Sequence, residues 1–403
     1  MNTDIVLLFT TRIVRLFAYG FLSVVLMLYL TEAGLSEAQA GLLLTVTLAG
    51  DAAVTLWLTT SADRFGRRRT LLAGALLMVL AGVVFLLTRD PILLTLAAIV
   101  GVISPSGNEI GPFLSVEQAG LTQLVADRQR TQTFAWYNLV GSFATALGAL
   151  AGGWLAQVLQ AQGFAPLDSY RAVLVGYALA GGVIAACFLA LSPAVEAPVA
   201  LAPIRRTLGL HRSRGVVFKL SSLFALDAFA GGFIVQSFMA LWFHTRFGVE
   251  AGVLGSIFFG ANVLAGISAL LAANMARRIG LINTMVFTHI PSNVLLVLVP
   301  LMPNLPLAIT VLLARFSISQ MDVPTRQSYT MAVVDPDERS AAAGVTAIAR
   351  SIGAAVSPAL AGLMFGVPAL LSLPIFLSGG LKIVYDLALW REFRRVRPPE
   401  ERV

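Results

Sequence analysis

Runs of about twenty apolar residues, separated by short polar gaps, recur along the whole of this chain. A helix crossing the hydrocarbon core of a bilayer needs about 20 predominantly apolar residues. Twelve stretches reach that length: 8–31, 37–60, 69–88, 91–124, 131–160, 170–192, 216–246, 251–275, 281–301, 305–333, 339–366 and 370–390. Several exceed the minimum and are expected to tilt or to extend past the bilayer. Only 12% of the 403 residues are charged and 57% are apolar, where a soluble domain runs near 25% charged. The predicted fold class is therefore an all-α membrane protein of twelve transmembrane helices.

Arginine placement orients these spans. The even-numbered gaps hold Arg64, Arg67, Arg68 and Arg69, then Arg128 and Arg130, then Arg205, Arg206, Arg212 and Arg214, then Arg277 and Arg278, and finally Arg339. The tail adds Arg391, Arg394, Arg395, Arg397 and Arg402, whereas the odd-numbered gaps hold little beyond Arg89, Arg171 and Arg246. Positive residues accumulate on the cytoplasmic side, so both termini are predicted inside, in a multi-pass protein of the cell (inner) membrane. The net charge of +7 is then a mark of topology, and no nucleic-acid partner is expected. No charged lead, short apolar core and small-residue cleavage site occur in sequence at the N-terminus, so no removable signal peptide is expected. Cys187 stands alone and histidines number three, which argues against a disulfide within the chain, a metal site or a cofactor.

The stretch 193–215, PAVEAPVALAPIRRTLGLHRSRG, is Pro-rich, then basic, and is the longest gap between spans. It is read as a cytoplasmic linker joining an N-terminal bundle, 1–192, to a C-terminal bundle with a short basic tail, 216–403. Its basic face suits anionic lipid headgroups, the alternative being a plain solvated linker. A shift of 209 positions lays the stretch from Glu117 onto the stretch from Arg326. Gln118 then pairs with Gln327, Val125 with Val334, Arg130 with Arg339, Ser142 with Ser351 and Gly153 with Gly362, although Thr122 falls on Met331. Parallel halves of this kind are a known transporter plan, with the substrate site near the midplane between them.

One gap has a more specific pattern. Ala62 to Arg69 reads ADRFGRRR, a tight basic hairpin between two membrane helices. It resembles the loop between helices 2 and 3 of the major facilitator superfamily, of the form G-x-x-x-D-R-x-G-R-[KR]. Asp63, Arg64, Gly66, Arg67 and Arg68 match, and Thr59 stands where the leading glycine is expected. In the fifth span, Ala144 to Gly153 is similar to the proton-antiporter motif G-x-x-x-G-P-x-x-G-G. Gly148, Gly152 and Gly153 match, while Ala144 and Ala149 replace glycine and proline; the repeat counterpart of Ala149 is Pro358. Small residues also simply let helices approach closely. The resemblance implies two pseudo-symmetric six-helix bundles around a central cavity lined by spans 1, 4, 7 and 10. It further implies a monomer working by alternating access, with Asp63, Arg64, Gly66, Arg67 and Arg68 in a cytoplasmic gate.

Ionisable groups within spans carry the functional argument, because each costs roughly 2.5–3.5 kcal/mol to insert and so normally faces a cavity or a partner. In the tenth span Arg315, Asp322 and Arg326 fall within about 40° of one another on a helix, with Ser319 on the same stripe. The fourth span offers Asn108 and Glu109 beside Pro105, Gly107, Gly111 and Pro112, and then Glu117 and Gln118. Glu117 and Arg326 are repeat equivalents, which suggests an ion pair across the pseudo-twofold axis that latches the cytoplasmic side; the alternative is that each is paired within its own half. Arg12 is expected to snorkel to the headgroups, whereas Arg15, followed by Tyr19, is placed for the cavity. Asp51 lies about 18 Å from Asp63 along an ideal helix. Asp227 is the acid of the seventh span, and Arg350 lies well inside the eleventh.

Glu109, Asp51 and Asp227 have no basic residue within a helical turn. A carboxylate without a nearby cation in low dielectric exchanges protons near neutral pH, so these three are candidates for proton coupling, Glu109 first; the alternative is that each is hydrogen-bonded and structural. The leading expectation is proton-coupled efflux of a small organic solute or drug, with protons, that solute and membrane lipids as partners. The alternative is a transporter of a small organic anion, a carboxylate or phosphate held by Arg15, Arg315 and Arg326 through bidentate guanidinium contacts. A membrane enzyme or silent sensor fits less well, since nothing resembles a nucleophile–base set.

Overall fold

The computed structural model describes residues 3–109, 111–196, 212–335 and 338–396, without the side chains of 59–61, 63–64, 127–128, 130–131 and 340. Most of the linker 193–215 therefore lies outside the described residues, as do Arg397 and Arg402. Regular structure among the described residues is entirely helical. The chain divides into two compact units, one of Met1–Pro203 with Val235–Phe259, the other of Ile204–Ile234 with Gly260–Val403.

In the first unit lie α1 (Thr3–Ser23), α2 (Leu26–Glu32), α3 (Glu37–Phe65), α4 (Arg67–Leu87), α5 (Pro91–Val100), α6 (Phe113–Leu124), α7 (Asp127–Ala161) and α8 (Pro166–Leu189). After α9 (Arg214–Gly232) of the second unit, α10 (Gln236–Phe247) belongs to the first, and α11 (Ala251–Ile279) runs from the first into the second. The second unit continues with α12 (Leu281–Leu298), α13 (Leu305–Phe316), α14 (Asp322–Ala332), α15 (Arg339–Phe365) and α16 (Leu373–Phe393). Ten stretches among the described residues are long and apolar enough to cross a membrane, α9 and α10 counting together. The helices α5 and α13 are apolar but shorter.

Four of the apolar runs are each split into two helices, for reasons their sequences supply. Between α5 and α6 the chain passes through Pro105 and Pro112, which cannot donate to a helical ladder. Gly107 and Gly111 adopt φ of +71° and +80°, a region that side-chain-bearing residues avoid. Between α13 and α14 no glycine is present. There Pro324, in the first turn of α14, has no N–H to offer the carbonyl of Gln320, and its ring excludes helical backbone at that carbonyl. The breaks after Ser23 and after Gly232 interrupt the first and seventh runs. In apolar surroundings the freed backbone groups need partners. Within the first unit Ser237, on α10, supplies them: its hydroxyl lies 2.8 Å from Ser23 O and 2.6 Å from Pro105 O, and its backbone N–H donates to Pro105 O at 3.1 Å.

Helix partnering is similar in the two units. The first packs α1 on α7 and α4 on α8, while the second packs α9 on α15 and α12 on α16. These are first-with-fifth and third-with-sixth runs in each half of the sequence. The α1–α7 seam is made at backbone distance, because a Cβ on Gly148 or Gly152 would fall on the carbonyl oxygens of Phe17 and Phe21. Gly153 lies equally close to the Ala251 carbonyl at the start of α11. Close approach thus accounts for all three glycines of the fifth run. In the second unit, Leu220, Phe224, Met285, Val286, Tyr329, Tyr385 and Leu389 form a buried core among α9, α12, α14 and α16.

Candidate functional site

Two buried charge clusters stand out, one in each unit. In the first, α1 places Arg12 and Arg15 one turn apart, α6 supplies Glu117, and the α5–α6 break supplies Glu109. Arg15 and Glu117 are both fully buried and form a bidentate pair, Nη1 to Oε1 at 2.8 Å and Nη2 to Oε2 at 2.6 Å. Thr11 donates to Glu117 Oε1 at 2.8 Å, and the hydroxyl of Tyr137, on α7, donates to Oε2. Arg15 Nε reaches Glu109 at 2.8 Å, and Arg12 pairs with the other oxygen of Glu109. The faces of Phe113 and Tyr137 cover Arg15 and Arg12, at 4.5 and 4.8 Å from ring centroid to guanidinium carbon. Two cations thus face two carboxylates, and this cluster is internally neutral.

The second cluster gathers on Asp227 of α9. Lys382 of α16 donates to its Oδ1 at 2.6 Å, while Arg326 of α14 and Arg350 of α15 each reach its Oδ2 at 3.1 Å. Arg326 also pairs with Asp322, one turn back on α14, at 3.0 Å. All these side chains are buried except that of Arg350, which is 34% exposed. Nearby on α13, Arg315 is 8% exposed and rests on the Phe316 ring at 4.8 Å. Among the described residues Arg315 makes no ion pair, and its Nε has no hydrogen-bond partner. The acid whose charge reaches it, Asp322, is already engaged by Arg326.

The basic hairpin has a local architecture of its own. Gly66 turns the chain at φ +96° between α3 and α4. Glu196, which follows α8, accepts from the backbone N–H of Arg67 at 2.6 Å and of Arg68 at 3.2 Å. A carboxylate there satisfies two orphan donors and meets the positive end of the α4 dipole. Arg68 Nε donates to Phe188 O at 3.1 Å, its Nη2 donates to Leu189 O, and Arg67 donates to Val195 O at 3.3 Å. Arg68 therefore caps the C-terminal end of α8, where carbonyls lack helical donors, and Arg67 ties the segment that follows α8. The side chains of Asp63 and Arg64 lie outside the described residues.

Several expectations from sequence are corrected. Arg12 does not snorkel to a headgroup, because Glu109 and Tyr137 hold it inside the bundle. Glu109 and Asp227 do not lack cations: spacing along one helix hid partners contributed by α1 and by α14, α15 and α16. Glu117 and Arg326 are each paired within their own unit. Arg315 does not share one continuous helix with Asp322 and Arg326, since the chain breaks between α13 and α14. Asp51, on α3, makes no ion pair among the described residues and accepts a hydrogen bond from Thr55 at 3.4 Å. Tyr19 is fully buried, and the Ser319 hydroxyl is buried without a partner among the described residues. Asn108 is exposed, and its carbonyl accepts from Ser104 at 2.8 Å. Sequence reasoning missed Lys382 and Tyr137. Lys382 interrupts the apolar run 370–390, and the insertion cost of a buried lysine was signal enough to find it.

Comparison with known proteins decides the family. The profile of the Major Facilitator Superfamily matches residues 8–358. The chain belongs to this superfamily. An uncharacterized membrane protein of Saccharomyces cerevisiae, YJR124C, is 32% identical over 419 residues, covering 96% of this chain and 93% of its own. Among solved structures, nucleoside transporter NupG aligns at a TM-score of 0.73 with 14% identity, covering 98% of this chain and 100% of its own. D-xylose–proton symporter aligns at 0.73 with 15% identity, over 98% of each chain. A bacterial homologue of the human lysosomal transporter Spinster, inward-facing and occupied, aligns at 0.72 with 17% identity, over 97% of this chain and 96% of its own. At these identities the structural likeness shows the fold. This major facilitator chain is accordingly an integral, multi-pass membrane transporter of a small solute and not an enzyme.

Proposed function

We propose that this chain is a secondary active transporter whose solute is a small organic anion, moved by alternating access. The observation that carries the reading is Arg315, a buried guanidinium with no carboxylate partner among the described residues. Removing a cation from water without a countercharge costs several kcal/mol, and an anionic solute would supply the missing charge in bidentate form. The surroundings reinforce this bias. Arg315, Arg326, Arg350 and Lys382 make four cations, against three carboxylates in Asp227, Asp322 and Asp386. Likeness in fold to nucleoside and xylose transporters is compatible with many small polar solutes; the excess cation is what favours an anion. On this reading the pairs α5 with α6 and α13 with α14 each cross the bilayer as one broken span. That completes twelve spans in two six-helix bundles, 1–192 and 216–403, with both termini cytoplasmic.

Asp51 favours a second reading, proton-coupled efflux of an organic solute, as the one of the three expected carboxylates that makes no ion pair among the described residues. A thermal-shift screen of the purified protein in detergent separates the two readings, using organic anions, lipophilic cations and neutral sugars at about pH 6 and about pH 8. Ligand that binds only the folded state raises apparent stability by mass action. Stabilisation by anions that is lost in Arg315→Gln is expected. Stabilisation by cations alone, stronger at the higher pH and lost in Asp51→Asn, would instead establish the second reading.

A further inference from the structure

The second unit holds another buried ionisable pair, between α12 and α16. His289 of α12 and Asp386 of α16 are buried, with His289 Nδ1 2.8 Å from Asp386 Oδ1. Asn293, one turn along α12, donates from Nδ2 to Asp386 Oδ2 at 3.0 Å. With Nδ1 protonated against the carboxylate, the imidazole keeps Nε2 for a second proton. The neighbourhood is polar beyond these contacts, for Asn293 Oδ1, Ser292 Oγ and Ser378 Oγ are buried without partners among the described residues. Groups of that kind are satisfied by buried water, the medium through which a proton reaches an interior site.

The pair is linked to the cluster on Asp227. Asp386 and Lys382 are one turn apart on α16, and Lys382 bonds both the carboxylate and the backbone carbonyl of Asp227. Around His289 the charged and titratable groups are Lys382 and Tyr385 on α16, Asp227 on α9 and Arg350 on α15. Beyond them stand Asp322, Arg326 and Tyr329 on α14 and Arg315 on α13. With His289 neutral, Arg315, Arg326, Arg350 and Lys382 already outnumber Asp227, Asp322 and Asp386 by one; a proton on His289 raises that excess to two. Asp386, which already feels the charge of Lys382, then faces a second cation in His289.

We propose that His289 and Asp386 form a proton-binding site of this transporter, coupled through Lys382 to the ion pairs on Asp227. The site binds a proton whatever the charge of the solute, so it stands apart from the anion reading.

Direct observation of the imidazole tests it without any solute. His211→Gln with His244→Gln leaves His289 as the sole histidine, and ¹⁵N-histidine labelling of the full chain in detergent then reports its protonation. Its signal is expected to titrate between about pH 5 and about pH 9. Adding Asp227→Asn removes a negative charge and should lower the midpoint by about half a unit or more. Should that protein not fold, Arg350→Gln replaces a partly exposed cation and should raise the midpoint instead. A histidine that keeps one protonation state across that range overturns the proposal, as does a midpoint that neither substitution moves.

Discussion

Glu117→Gln probes the neutral cluster by the smallest possible change of shape. Each carboxylate oxygen of Glu117 accepts two donors: Thr11 and Arg15 Nη1 on Oε1, Arg15 Nη2 and Tyr137 on Oε2. A glutamine keeps one acceptor and turns the other into an NH₂ group. Either orientation of the amide therefore sets its NH₂ against an Arg15 N–H, which cannot accept, in a site with no exposure to solvent. Arg15 also loses a bidentate countercharge and retains only Glu109. Breaking a buried pair from one side costs about 3–5 kcal/mol, and we expect that loss in unfolding of the detergent-solubilised full chain followed by tryptophan fluorescence. Tyr137→Phe removes one hydrogen bond to a charged acceptor and should cost about 1.5–3 kcal/mol. Glu117→Leu with Arg15→Leu should cost less than the sum of the two single changes, because Arg12 and Glu109 still neutralise each other. A Glu117→Gln protein within about 0.5 kcal/mol of wild type would refute this account.

Other sites give distinct expectations. Lys382→Met should be milder than Asp227→Asn, because Asp227 keeps Arg326 and Arg350 whereas losing the carboxylate leaves three cations facing one another; thermal midpoints of the two variants decide it. Gly148→Val should abolish the folded peak in size-exclusion chromatography, since its Cβ would meet the Phe17 carbonyl, which is helix backbone and has no room to move. Glu196→Gln should cost about 1 kcal/mol by weakening the caps on Arg67 and Arg68, read as a lower thermal midpoint.

The sequence made much of the fold legible, because apolar run length and arginine asymmetry follow directly from the cost of polar groups in lipid. The breaks were partly legible. Pro105, Gly107, Gly111 and Pro112 announce one of them, whereas the α13–α14 break depends on Pro324 acting on a carbonyl four residues back. Partner choice was much less legible. Helical spacing finds i,i+4 pairs such as Asp322 with Arg326, but Asp227 takes its cations from α14, α15 and α16. Such pairs join distant parts of the chain, and spacing along one helix is silent about them. The same blindness made Glu109 look free of cations and Arg12 look free to reach a headgroup. His289 and Asp386 are far apart in the sequence, and neither is informative until α12 lies against α16.

The two clusters differ in what they leave unsatisfied. Around Glu117 every carboxylate oxygen has donors and the charges cancel, so a solute gains nothing there without first breaking a bond that costs several kcal/mol. Around Asp227 one carboxylate serves three cations, Arg350 is partly exposed, and Arg315 has no countercharge among the described residues. A ligand shifts a conformational equilibrium only by the difference in its affinity for the two states. Donors with spare capacity are where that difference can arise, because pairing them with an incoming charge breaks nothing in return. The neutral cluster is therefore suited to hold the first unit's helices in place. The cationic one has the spare donors that the proposed anionic solute would need.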